Sequence, residues 1–142
     1  MKPLLDNLPD ILKSAFLTLE LTVLSILIGI LIGFLFALMR ISKVKILIYF
    51  SYYYSFVFRG TPLFVQIFII YFGLAQLEFI RESIFWIILK KPYWCAIIAF
   101  ALNTGAYSSE IFRSAFGKID KSIIEAADSL GLNKLRIFIT II

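Results

Sequence analysis

The side chains able to do chemistry in this chain are few. There is no histidine and one cysteine, Cys95, among 142 residues. Lack of histidine removes the commonest general base and the commonest metal ligand. A lone cysteine forms neither an intrachain disulfide nor a paired-cysteine metal site. The apolar runs hold no paired catalytic constellation, so the reading is no enzyme, no catalytic residues and no metal. What remains is Gln66, Asn103 and Glu110, polar groups set in or beside long uncharged runs, with Arg113 three residues beyond the glutamate. An amide or carboxylate at such depth is costly and faces protein or water. It either borders a solute path or makes a structural bond: an interhelical hydrogen bond for Asn103 and Gln66, and an i,i+3 ion pair for Glu110 with Arg113.

The elements that must position these groups are set by composition. Hydrophobic residues make up 61% of the chain and charged residues 16%, with a mean hydropathy of +0.96. A soluble domain carries about 25% charged residues, so lipid must cover part of this surface. The net charge is +5, but no basic run interleaved with exposed aromatics stands outside the apolar stretches, which argues against nucleic acid. The excess charge suits loops anchored at a membrane face.

Three uncharged runs, 21–39, 60–77 and 92–109, approach the ~20 residues that a helix needs to cross a bilayer core. Backbone amides in lipid must be paired internally, so the runs read as helices. The first helix begins near Asp10 or Ile11 and lacks the small-residue cleavage site of a signal peptide; it is expected to be retained. Arginines and lysines number nine on the side that holds the 40–59 loop and the segment after the third span, against five on the other. The richer side is assigned to the cytoplasm and the N-terminus to the periplasm. Residues 46–58, with Tyr49, Tyr52, Tyr53 and Tyr54, read as an interfacial segment or an inward extension of the second span. Residues 78–91 read as an outer loop with a short interfacial helix. The chain is read as a single domain, all-α: a polytopic transmembrane helix bundle of three full spans, a cytoplasmic helix and the start of a fourth span.

Packing can be read too. Ser14, Thr18, Thr22, Ser25, Gly29, Gly33 and Ala37 form one small-residue stripe ending in a Gly-xxx-Gly pair, a surface for close helix approach. Ala96, Ala99, Asn103, Ala106, Glu110 and Arg113 form a second. Thr61 and Pro62, after Arg59 and Gly60, suit a helix start through a hydroxyl cap and a proline in the first turn. Ser122 and Glu125 form a capping box, Ile123, Ala126, Ala127 and Leu130 line one face, and Gly131 suits a left-handed end. A helix this short is unstable alone in water. It lies either on the bilayer or in a groove of a soluble partner, and its small alanines favour the protein.

Three strings in order, Arg59-Gly60-Thr61-Pro62-Leu63-Phe64-Val65-Gln66, Gly105-Ala106-Tyr107-Ser108-Ser109-Glu110-Ile111-Phe112-Arg113 and Glu125-Ala126-Ala127 with Gly131, resemble the permease subunits of bacterial ABC importers for polar amino acids. The resemblance covers residues 17–142. It implies that Glu125, Ala126, Ala127, Leu130 and Gly131 form the coupling helix that docks into an ATPase subunit. ATP and Mg are then bound by that partner, with no cofactor on this chain. It also implies a second permease subunit, identical or not, a periplasmic solute-binding protein, an inner-membrane location and alternating access. The family usually has Pro where Asp120 stands and Gly-Gln where Ser122-Ile123 stand; the capping box is expected to compensate for the first change. The family also continues past Ile142, so the chain is expected to be truncated. The rival reading is a non-transporting membrane scaffold or an inactive permease remnant.

Overall fold

The computed structural model describes residues 7–133, 136, 137 and 140. Helix α1, Leu8–Ile41, is 34 residues long, or about 51 Å at 1.5 Å per residue, and it exceeds a bilayer core. It begins with a proline in its first turn and stops at Ser42, whose backbone is extended. Along its N-terminal half, the hydroxyls of Ser14, Thr18 and Thr22 donate to the carbonyls of Asp10, Ser14 and Thr18 at 2.8, 2.9 and 2.7 Å. These residues are exposed. Only the C-terminal part of the predicted stripe, Ser25, Gly29, Gly33 and Ala37, is buried.

That part packs along α6, Pro92–Gly117. A Cβ added to Gly29 would meet the Thr104 Cβ at 2.7 Å and the Ala101 carbonyl at 3.0 Å. The helix axes therefore approach closely because glycine leaves the space. The contacts run in one direction. Tyr93 OH donates to Glu20 at 2.8 Å, Gly29 meets Thr104, Gly33 meets Ser108, and Arg40 meets Glu110. So α1 and α6 are parallel, and the chain between them must return across the same thickness.

The return is not the single helix over 60–77 that the sequence suggests. Residues 46–58 lie in a separate helix, α2, Lys45–Gly60. After the bend come α3, Leu63–Phe68, a π-helical turn, Ile69–Gly73, and a 3-10 turn, Leu74–Gln76. The two arms, Lys45–Gly60 and Leu63–Gln76, are bent by 106°. Two helices, α1 and α6, are long and apolar enough to cross on their own, and the bent pair brings the number to three if it is taken as one broken span. Tyr54 turns inward, stacked on Phe36 with ring centroids 3.8 Å apart, whereas Tyr49, Tyr52 and Tyr53 are exposed. Two short helices, α4 (Glu78–Arg81) and α5 (Trp86–Leu89), connect the return arm to α6. A small core of Ile70, Cys95 and Ala99 ties the return arm to α6. Helix α7, Lys121–Ser129, follows α6 after a three-residue link. Most of the expected fourth-span start, 135–142, lies outside the described residues.

Candidate functional site

A bend at Gly60-Thr61-Pro62 ends one helical ladder before the next begins, and Pro62 has no amide to donate. The carbonyls at the end of α2 need other partners, since unpaired backbone polar groups are costly at membrane depth. Gln66 Nε2 donates to the carbonyls of Phe58 and Thr61, both at 2.8 Å. Asn103 Nδ2, from α6, donates to the same Phe58 carbonyl at 3.0 Å and reaches Gln66 Oε1 at 3.4 Å. The two amides form one polar joint that pins the bend to α6. Thr61 acts on the other side of the break from that expected. Its hydroxyl donates back to the Val57 carbonyl at 2.7 Å and closes α2, while Pro62 occupies the cap position of α3 without a side-chain bond.

Beside this joint, Thr22, Ser25 and Ile26 of α1 face Leu63, Asn103 and Thr104 across a cavity of ≈ 240 Å³. Ser25 is 3% exposed, and among the described residues its hydroxyl has no hydrogen-bond partner. Further along α6, Glu110 uses both oxygens. Arg40 Nη2 lies 3.2 Å from Oε1, and Arg113 Nε donates to Oε2 at 2.8 Å. The first bond ties the end of α1 to α6; the second is the i,i+3 pair. Arg40 also lies over Tyr52, 4.9 Å from the ring centroid. No cluster of ligating side chains fit for a metal occurs among the described residues.

Helix α7 stands apart from the joint and makes no extended packing with another described helix. Its start is set by Asp120, whose Oδ1 accepts from the Ser122 amide at 3.1 Å. The expected Ser122–Glu125 capping box is therefore displaced: Ser122 lies inside the helix, and Asp120 is itself the cap. Its end is closed by Gly131 at φ 74. The Leu132 amide donates to the Ala127 carbonyl at 3.2 Å and the Gly131 amide to Asp128 at 2.9 Å, the paired bonds of a glycine-terminated helix. The expected apolar face divides. Ala127 is buried at 4%, while Ile123, Glu125, Ala126 and Leu130 are exposed.

Comparison with known proteins gives this arrangement a family. The family described as "Binding-protein-dependent transport system inner membrane component" matches residues 25–142. The chain belongs to that family. The octopine transport system permease protein OccM of Rhizobium meliloti is 46% identical over 126 residues, which cover 89% of this chain and 51% of that protein. The arginine transport system permease protein ArtQ of Bacillus subtilis is 39% identical over 128 residues, 90% of this chain and 55% of that protein. A solved structure, "Crystal structure of an amino acid ABC transporter with histidines", aligns with a TM-score of 0.70 at 33% identity, covering 94% of this chain and 62% of that one. The chain spans about half the length of the curated relatives it matches.

Within this permease-family chain, the structure brings Gln66 together with Asn103, Glu110 with Arg113, and Gly29 and Gly33 with α6. It leaves Glu125, Ala126 and Leu130 unburied. Sequence reasoning missed Arg40 as a partner of Glu110, and it missed the hydroxyls of α2. Ser51 donates to the Phe36 carbonyl and Tyr54 to the Leu102 carbonyl, each at 2.7 Å, and Ser55 and Ser109 share a bond of 2.8 Å. A spacing of three or four among Ser51, Tyr54 and Ser55 was the available signal.

Proposed function

We propose that this chain supplies the membrane-spanning part of a permease subunit in an ATP-driven importer of a polar amino acid. In this reading α7 is the coupling helix, on the cytoplasmic side of an inner membrane, with the N-terminus periplasmic. A separate ATPase subunit binds ATP and Mg and grips Glu125, Ala126 and Leu130; Ala127 and Gly131 hold the shape of the helix. A solute-binding protein delivers the amino acid to the other face, and a second permease subunit, identical or not, completes the pathway. The observation that carries the reading is the form of α7: capped at both ends, apolar side chains outward, held by little of its own chain. A two-turn helix with that surface is stabilised by a partner rather than by itself.

The mechanism is mechanical. A lateral push on α7 passes through the three-residue link into α6, and α6 moves with α1 through the glycine contacts and the Arg40–Glu110 pair. The polar joint makes the bent arm follow α6. The cavity at Ser25, Asn103 and Thr104 then forms part of the solute path, opened and closed by the motion of α3 against α1. In the assembled transporter, Glu125→Lys is expected to abolish substrate-stimulated ATP hydrolysis while membrane insertion is unchanged. Undiminished stimulation removes the coupling role.

A further inference from the structure

A second cleft, of ≈ 600 Å³, opens between the end of α2 and the last three turns of α6. Arg59, Arg113 and Lys118 supply its cations, and Glu110 is its one acid. That acid is already engaged by Arg40 and Arg113 through both oxygens, so the cleft keeps an excess of positive charge. The Arg59 guanidinium lies over the Tyr107 ring, 5.5 Å from its centroid, a cation–π contact rather than a pairing of its N–H groups with an acid. Neither Arg59 nor Lys118 has an acid partner among the described residues.

The apolar wall is as informative as the charge. Tyr107, Ile111 and Ala115 line one face of α6 that ends at Lys118; Tyr107 is 50% and Ile111 67% exposed. A free inorganic anion would satisfy the cations and leave this wall bare. A zwitterionic lipid would bring its own ammonium into a cationic cleft. We propose that the cleft binds an anionic phospholipid, with the phosphodiester held by Arg59, Arg113 and Lys118 and the acyl chain laid along Ile111 and Tyr107. Basic pockets between membrane helices hold anionic headgroups through charge-assisted bonds of this kind. The inference requires only that the chain spans a membrane, and it stands apart from the transport reading.

The test uses the full chain in mild detergent, offered phosphatidylglycerol or phosphatidylcholine with identical acyl chains, with retained lipid read by native mass spectrometry. Several-fold preferential retention of phosphatidylglycerol is expected. The double variant Arg59→Gln/Lys118→Gln is expected to lose that preference with an unchanged melting temperature, while Lys90→Gln/Lys91→Gln keeps it. Equal retention of the two lipids, or the same loss in both double variants, overturns the proposal. Displacement of phosphatidylglycerol by an equal concentration of inorganic phosphate also overturns it, and marks the cleft as a site for soluble oxyanions. Because the readout involves neither ATP nor transport, its failure leaves the coupling helix untouched.

Discussion

Gly33 of α1 and Ser108 of α6 lie so close that a Cβ on the glycine would stand 2.5 Å from the serine Cβ. The Gly105 carbonyl, 2.9 Å from the same point, closes another direction. Neither neighbour is the far end of a flexible side chain, so a larger residue must push two helix backbones apart. Overpacking of this sort costs roughly 1–3 kcal/mol. Gly33→Leu is expected to lower the melting temperature in detergent by several degrees or to prevent folding. Gly117→Ala, at a position with nothing within 4 Å of an added Cβ, is expected to leave it unchanged or slightly raised. Equal effects of the two substitutions would show that the interface does not depend on close approach.

The polar joint gives a second prediction. Gln66→Leu strips a donor from both the Phe58 and Thr61 carbonyls, whereas Asn103→Leu strips one from Phe58 alone. An orphaned buried acceptor costs about 1–3 kcal/mol. Gln66→Leu is therefore expected to destabilise more than Asn103→Leu, since Phe58 keeps one donor in either single variant and only Gln66→Leu strips the Thr61 carbonyl as well. The double variant is expected to depart from the sum of the two, because the amides share an acceptor and touch each other. Additive losses in thermal unfolding would mean that the two side chains act independently.

Much of this architecture was legible in the sequence, and the illegible parts have physical causes. Small residues at intervals of three and four identified the buried face from Ser25 to Ala37, because only small side chains permit that approach. The same stripe ran on through Ser14, Thr18 and Thr22, which bond to their own helix; a hydroxyl next to its own i−4 carbonyl has the same spacing as one facing a neighbour. The 106° bend was hidden because hydropathy records how apolar a run is and not where it points. Thr61-Pro62 is a helix-start signal and equally a helix-stop signal, and here the threonine serves the helix before it. Asp120 and Ser122 are both good caps two positions apart, and the Ser122 amide chose Asp120. The Arg40–Glu110 pair joins residues on different helices, so no local pattern announces it.

The ends of α7 provide a third prediction. Gly131 has φ 74, a region that costs a side-chain-bearing residue roughly 1–2 kcal/mol. Asp120 is the side-chain cap at the other end, and loss of such a cap costs ~1 kcal/mol. Gly131→Ala and Asp120→Ala are each expected to speed amide hydrogen exchange across residues 121–131 by several-fold, with α6 unaffected. Asp120→Asn, which keeps the acceptor oxygen, is expected to preserve protection. Unchanged exchange in Gly131→Ala would mean that the helix end tolerates a different backbone.

The last prediction concerns sidedness. Cys95 is 0% exposed, and its Sγ lies 3.1 Å from the Leu89 carbonyl. A thiol sealed from solvent is out of the reagent's reach, so the native chain is expected to resist a membrane-impermeant maleimide in intact cells and in lysed ones. That silence makes a cysteine at an exposed position readable. Ala126→Cys, on the outward face of α7, is expected to stay unlabelled in intact cells and to label once the inner face is opened. A cysteine replacing Leu8, exposed near the start of α1, is expected to do the reverse and label in intact cells. Leu8 opens α1 and Ala126 lies past the end of the parallel α6, so the two positions are expected on opposite sides. Labelling of both from one side would break the parallel pairing of α1 and α6, and labelling of Ala126→Cys from outside would put α7 beyond the reach of any cytoplasmic ATPase.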